Sequence, residues 1–196
     1  MSQNFNSKPE ENVIIGENVH VKPFTVLGMT GFGFESDKKT GKYKIPLKRK
    51  QHKFKLIIKD NVEIGAGCVI DRGSWRDSII GEGTKLDNMV HTGHNTQIGK
   101  NCLIAVGTTL GGSTTIGDNC FLGMNSMTKQ GVKICDNVTI GMGAVVTKDI
   151  TEPNTTWVGN PARKLVKKDE NKIGGIWTLN EKTQQWERDK KFVPVP

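Results

Sequence analysis

From residue 80 onward an aliphatic residue recurs every six positions: Ile80, Leu86, Ile98, Ile104, Leu110, Ile116, Leu122, Ile134, Ile140 and Val146. Only Thr92 and Thr128 interrupt the series. Four residues after each start stands a small or β-branched side chain: Thr84, Val90, Thr96, Cys102, Thr108, Thr114, Cys120, Ser126, Val132, Val138 and Ala144. A period of six is neither the 3.6 of a helix nor the alternation of a long strand, and one such unit is too short to bury a face alone. Stability must therefore come from stacking, with two inward positions per hexad feeding one interior. Three hexads close an 18-residue triangular coil, so residues 18 apart lie one above another at roughly the 4.8 Å strand spacing. The predicted fold is an all-β parallel β-helix. Gly81, Gly99, Gly117, Gly123 and Gly141 directly follow hexad starts, where tight corners are expected to need positive φ.

The register continues upstream through Ile58, Ile64 and Ile70, slips by four residues around Arg76 to Ile79, and includes an earlier coil at Ile15, Val21 and Leu27. We read residues 1–150 as the β-helix and 151–196 as a C-terminal cap and tail. Residues 28–57, basic and aromatic, break the period and are predicted to project from the prism as a loop. EPNTTWVGNPARKL is expected to be an irregular cap, and Trp177 and Trp186, flanking a polar NEKT segment, to belong to a β-hairpin.

Charge narrows the partners. Lysine and arginine number 28 against 20 acidic residues, a net +8 that suits a polyanion or a phosphorylated small molecule. No nucleic-acid motif is present and the basic residues do not follow one element, so nucleic acid is not expected. The opening MSQNFNSKPEENVIIG has no apolar core behind a basic cluster, and no apolar run reaches spanning length. A cytoplasmic protein without a membrane partner is expected. Cys68, Cys102, Cys120 and Cys135 include no CxxC pair and read as reduced structural thiols.

The hexads resemble those of the hexapeptide-repeat transferase superfamily. That resemblance, and not the general preference for right-handed crossovers, implies a left-handed helix; it also implies a homotrimer with active sites between subunits. Over residues 28–99, GFGF, KIP, VEIGAGCVIDRG and LDNMVHTGHNTQIG are similar to the β-helix part of the UDP-3-O-acylglucosamine N-acyltransferases of lipid A synthesis. VGNPAR, residues 158–163, looks like the end of coenzyme A dependent sugar and serine acetyltransferases. The overall plan resembles short nucleotide-sugar N-acetyltransferases. The implied function is acetyl-CoA-dependent N-acetylation of a nucleotide-linked amino sugar.

Acyl transfer from a thioester to an amine needs a proton acceptor, donors for the tetrahedral oxyanion and a channel for the carrier. His94, in TGHNTQ just past a glycine corner, resembles the family's catalytic base, and an imidazole with an ordinary pKa near 6.5 can accept a proton at neutral pH. The 18-residue coil places Gly112 beside it, and the resemblance gives that glycine's amide the thioester carbonyl. Asp87 and Asn88, one hexad earlier, match positions near the sugar, although either can equally cap a turn. His91 is a further candidate for the substrate, while His20 and His52 lack matching context and are expected to be solvated. Ala105, Gly123 and Gly141 offer small side chains to a pantetheine arm, and Arg163 and Lys164 sit where the family places cations near coenzyme A phosphates. Phe32, Phe34 and Tyr43 can stack on a nucleobase, with Lys42 and Lys44 near a diphosphate, or pin the loop to the prism.

Rival readings remain open at this level. O-Acetylation of a sugar hydroxyl, or transfer of a longer acyl chain of the lipid A type, would use the same residues. A zinc site of three histidines needs spacings that these four histidines do not supply, so no metal is expected. A β-helical scaffold or binding protein is the non-enzymatic rival, because fold does not imply function; the HTGHN motif argues against it.

Overall fold

The computed structural model describes residues 12–37, 39–43 and 45–166, together with the backbone of 177–180 and 185–188. Each hexad contributes a short strand and a corner. The first coil consists of β1 (Val13–Ile15), β2 (His20–Val21) and β3 (Val26–Met29), and the second of β4 (Leu56–Ile58), β5 (Glu63–Ile64) and β6 (Val69–Asp71). The third holds β7 (Ser78–Ile80), β8 (Lys85–Leu86) and β9 (His91–Thr92); the fourth holds β10 (Gln97–Ile98), β11 (Leu103–Ile104) and β12 (Thr109–Leu110). The fifth is β13 (Thr115–Ile116), β14 (Phe121–Leu122) and β15 (Met127–Thr128), and the sixth β16 (Lys133–Ile134), β17 (Thr139–Ile140) and β18 (Val145–Val146).

Strands three apart in the chain pair in parallel. The three faces are thus β1-β4-β7-β10-β13-β16, β2-β5-β8-β11-β14-β17 and β3-β6-β9-β12-β15-β18. The fold is a left-handed parallel β-helix, and no helical segment occurs among the described residues. Gln97 lies opposite Thr115 and Leu103 opposite Phe121, the predicted 18-residue register. The four-residue slip appears in the pairing of Val69 with His91.

Every aliphatic hexad start from Ile80 to Val146 is buried, as are the small residues four positions on. Among the described residues, inward threonine hydroxyls find backbone and hydroxyl partners, while the buried Ser78 Oγ has none. Thr84 Oγ1 donates to Gly99 O at 2.8 Å and accepts from Cys102 N, and Thr114 Oγ1 donates to Gly111 O at 2.6 Å. Thr128, an interruption in the aliphatic series, meets Thr114 Oγ1 at 2.9 Å and accepts from Gly111 N. A buried polar group costs little once it is hydrogen-bonded, which is why these positions tolerate threonine.

The corners correct one sequence expectation. Positive φ falls two residues after the glycines that follow hexad starts, at Gly83, Asn101, Asn119, Asn125 and Gly143. Gly81, Gly99, Gly117, Gly123 and Gly141 are needed for stacking instead. A β-carbon on Gly123 would stand 2.6 Å from Met142 N, and one on Gly141 2.8 Å from Val158 Cγ1.

The C-terminal cap is not irregular. β19 (Thr156–Val158) adds to the second face beside β17, and β20 (Arg163–Lys164) returns antiparallel to it. One compact unit runs through Lys164. In the second unit, β21 (Trp177–Asn180) pairs antiparallel with β22 (Gln185–Arg188), in keeping with the expected hairpin. All four cysteines are free, and no helix is long and apolar enough to cross a membrane among the described residues.

Candidate active site

Two irregularities and the candidate pair His94 and Gly112 share the corner that carries the chain from the third face to the first. The long insertion leaves from β3 and returns into β4; the four-residue slip lies between β6 and β7; His94 and Gly112 occupy the same corner one and two coils further on. Stacking therefore brings four distant stretches of sequence to one edge of the prism.

The insertion is not simply a projecting loop. Its outer part forms an antiparallel arm, with bridges between Phe34 and Arg49 and between Ser36 and Tyr43. Its base is folded down and fastened by Arg72 of the coil above. That guanidinium donates to Gly28 O at 3.0 Å, to Thr30 Oγ1 at 3.1 Å and to His52 O at 3.0 Å, so one side chain ties both ends of the insertion. Arg49 Nη1 donates to Gly31 O and lies 5.1 Å over the Phe34 ring. His52, expected to be solvated, is only 5 % exposed. Its Nδ1 accepts from Gly31 N at 3.1 Å, and its ring meets that of His94 edge-on at 5.2 Å.

Asn95 organises the prism side of the corner. It is fully buried at φ 61°, and its Oδ1 accepts from the backbone amides of Ser74 at 2.7 Å and Trp75 at 3.1 Å. With Oδ1 so engaged, Nδ2 is the group that faces His94 Nδ1, at 2.6 Å. Arg76 crosses the same stack, donating to Asn95 O and Ser113 O and lying 4.9 Å over the Trp75 ring.

His94 is packed against Gly112 as the coil length predicts. A β-carbon on Gly112 would stand 2.9 Å from both Cε1 and Nε2 of the imidazole, so only glycine leaves the ring in place. The Gly112 N–H makes no hydrogen bond among the described residues. Burial holds the pKa of both His94 and His52 below the ordinary imidazole value, with Lys50 adding to the effect on each; for His52 the neighbouring His94 and Arg49 contribute as well.

Asp71 is the residue that sequence reasoning missed altogether. It closes β6 and points away from the interior by strand alternation, yet it is only 6 % exposed because the Gly31 segment lies over it. A β-carbon on residue 31 would stand 2.7 Å from Asp71 Oδ2, 2.9 Å from His52 Cε1 and 3.1 Å from His94 Cδ2. All three side chains thus meet at one point. Burial raises the Asp71 carboxyl to about 6, with His91 opposing the shift. A signal for this group existed, since the IDRG of residues 70–73 immediately precedes the slip at the His94 corner, but nothing local says that an insertion will cover it. Gly31→Ala is expected to push these three groups apart and lower turnover by about tenfold or more, the scale of 1–3 kcal/mol of overpacking. Steady-state kinetics would show the loss, and the same overpacking should lower the melting temperature.

Above this floor opens a cleft of about 700 Å³, lined by Phe32, Phe34, Tyr43, Lys50, His52, Lys53, Trp75, His94, Ser113 and Gln130 among others. Phe32 and Phe34 pack edge to face at 5.2 Å. Phe32, Phe34 and Tyr43 line it together with Trp75, and the lysines among its lining are Lys50 and Lys53, not Lys42; Lys44 lies outside the described residues.

The remaining predicted residues lie elsewhere on the prism. Asp87, Ala105, Gly123 and Gly141 stack along the corner between the second and third faces, with Asn88 beside them. Asp87 Oδ1 accepts from Asn88 N and Asn88 Oδ1 from Ala66 N, so both cap turns. Asp87 and Ala105 border a shallow cleft of about 230 Å³ with Lys22, Lys85 and Phe121. His91 is on β9, its Nδ1 3.1 Å from Val69 O. Arg163 and Lys164 are exposed on β20, Lys164 paired with Glu152. A single chain therefore brings His94 and Gly112 to Phe32 and Phe34, but not to the residues expected to bind the cofactor.

Comparison with known proteins follows the same division. Two hexapeptide-repeat models match, one described as a bacterial transferase hexapeptide (six repeats) over residues 77–112 and one as a hexapeptide repeat of succinyl-transferase over 113–148. A UDP-3-O-acylglucosamine N-acyltransferase of Bradyrhizobium diazoefficiens is 47 % identical over 92 residues, 47 % of this chain and 24 % of the relative. That of Methylorubrum extorquens is 38 % identical over 154 residues, 79 % of this chain and 42 % of the relative. The chain thus spans between a quarter and half of these two relatives. Among solved structures, the UDP-N-acetylglucosamine O-acyltransferase of Moraxella catarrhalis superposes with a TM-score of 0.61 at 26 % identity, covering 79 % of this chain and 58 % of that one.

Proposed function

Because the chain belongs to the hexapeptide-repeat acyltransferase superfamily, we propose that it transfers an acyl group from a thioester to the amino group of a nucleotide-linked amino sugar. The observation that carries this reading is the His94–Gly112 contact at the floor of the cleft. An imidazole and an unpaired backbone N–H stand side by side there, which is what a tetrahedral oxyanion and its attacking amine require. The cleft walls suit the acceptor. Phe32, Phe34, Tyr43 and Trp75 offer faces for a nucleobase, and Lys50 and Lys53 offer charge for a diphosphate. The names of the relatives support a UDP-sugar amine as the acceptor class.

We assign acetyl-CoA as the donor, on the likeness of VGNPAR at residues 158–163 to the ends of coenzyme A dependent enzymes. A longer acyl chain is the second reading, and the lipid A type relatives favour it. In a homotrimer, the stacked Ala105, Gly123 and Gly141 of one subunit would supply the carrier groove to the His94 corner of the next. The deciding experiment incubates the protein with UDP-linked amino sugars and either acetyl-CoA or a 3-hydroxyacyl thioester, following thiol release and product mass. We expect mass gain on the amine with acetyl-CoA. Gain only with the longer chain would correct the donor, gain only on a hydroxyl would correct the acceptor atom, and no gain with any pair would end the enzymatic reading.

A further inference from the structure

The slip between β6 and β7 is fastened along its whole length. Gly73 O accepts from Phe54 N at 3.1 Å, and a β-carbon on Gly73 would stand 2.7 Å from Phe54 Cβ. Asn95 Oδ1 holds the amides of Ser74 and Trp75, and the Arg76 guanidinium donates to Asn95 O and Ser113 O. Asp77 Oδ1 accepts from Lys55 N at 2.8 Å, and Asp77 O from Gln97 Nε2 at 2.6 Å. The Trp75 side chain is the exception. Trp75 is 60 % exposed, and its indole N–H donates to no group among the described residues. A large flat side chain held out on a fixed backbone loses little conformational freedom when a ligand settles on it.

Trp75 is placed by the reacting corner itself. The Asn95 side chain meets His94 Nδ1 at 2.6 Å through one atom and Trp75 N at 3.1 Å through another, so one buried amide links the imidazole to the tryptophan backbone. Arg76 reaches the carbonyl of Ser113, the residue after Gly112, and its guanidinium carbon lies 4.9 Å from the centre of the Trp75 ring. One face of the indole is thereby covered. The ring lines the cleft from the prism side together with His94, Ser113 and Gln130. Phe32, Phe34 and Tyr43 line it from the arm, whose bridges run outward from Phe34 and Arg49 to Ser36 and Tyr43.

Resting on the proposed acyl transfer, we propose that Trp75 is the platform for the sugar ring of the acceptor and sets which amino sugars are taken, leaving the arm's aromatics to the nucleobase. An amine that reacts at the His94–Gly112 floor is carried directly on its sugar ring. That ring must therefore lie against groups anchored to the floor, as Trp75 is. The nucleobase is separated from it by a ribose and a diphosphate, a span that leads outward past Lys50 and Lys53 to the arm. A pyranose has apolar C–H faces and polar edges. The indole face matches the first, while its own N–H, Ser113 and Gln130 offer hydrogen bonds to the second. A bulky substituent on the stacked face would lift the ring from the indole and the amine from the floor. Trp75 thus discriminates among amino sugars carried on one nucleotide.

Comparing UDP with a UDP-linked amino sugar, on the full chain, separates the ring from the base. With fluorotryptophan incorporated, the Trp75 fluorine resonance is the one that disappears in Trp75→Phe. The amino sugar nucleotide is expected to shift this resonance, and UDP alone to leave it in place. By calorimetry, Trp75→Ala is expected to bind the amino sugar nucleotide about tenfold more weakly with UDP affinity unchanged, whereas Tyr43→Ala should weaken both. Trp75→Phe keeps a ring on the same backbone and should recover most of that loss. In turnover, the KM for the acceptor should rise and that for the donor stay constant. If alanine disturbs the slip, the phenylalanine variant and the wild-type fluorine shift carry the test. A resonance moved equally by UDP, a Trp75→Ala protein that weakens both nucleotides alike, or a rise confined to the donor KM would overturn the proposal. Binding with the fluorine shift but no acyl transfer would end the proposed function and sustain the platform. Transfer with the resonance unmoved would do the reverse, and no binding of either nucleotide would refute both.

Discussion

His94→Ala is expected to lower kcat by about 1,000-fold, with the protein's melting temperature nearly unchanged. The imidazole stands against Gly112 at the floor of the cleft, and its removal takes away the group proposed to accept the proton of the attacking amine. The loss should fall on kcat, because the aromatic and basic walls proposed to hold the acceptor come from the arm and from Trp75. His94→Gln separates the two roles an imidazole can play. A glutamine amide can donate but cannot cycle a proton, so a base role predicts that it is about as inactive as alanine. Thiol release from saturating donor at fixed acceptor measures both. Transfer at the wild-type rate by the alanine protein would remove His94 from the chemistry.

Asn95→Ala is expected to cost about 3 kcal/mol of stability, the largest single-site loss outside the aliphatic core. Alanine strands the Ser74 and Trp75 amides that now donate to Oδ1, and it places a β-carbon at φ 61°, a region that asparagine tolerates better. Asn95→Gly keeps the backbone freedom and loses only the hydrogen bonds, so it should recover about 1 kcal/mol of that loss. Urea midpoints give the totals, and hydrogen exchange at the Ser74 and Trp75 amides locates them. Exchange unchanged at those two amides would contradict the assignment of Asn95 as their anchor.

Much of this was legible in the hexads. Ile80, Ile98, Ile116 and Ile134 all lie in the interior of the first face, and Gly112 is beside His94, because a stack of equal coils converts a sequence interval directly into a neighbour. Resemblance supplied the handedness, which the period by itself leaves open. The stacking glycines were recognised at the correct positions, but for a torsional reason when the actual one is steric: the backbone of the next coil occupies the space a β-carbon would need.

The insertion was where that rule stopped. Residues outside the repeat carry no period, so nothing in the order of residues 30–55 says that Gly31 and His52 turn inward while Phe32 and Tyr43 turn outward. Asp71 reads as a strand-end carboxylate on an exposed face, and His52 as a solvated histidine in a basic loop. What buries both is Arg72, whose single guanidinium reaches Gly28, Thr30 and His52, which lie 44, 42 and 20 positions earlier in the chain. The sequence by itself determined the prism, its coil length and the His94–Gly112 pair, because those depend on periodic contacts between equivalent positions. Only the tertiary structure decided that Asp71, His52 and His94 form one cluster, because that depends on where an aperiodic segment is tied down.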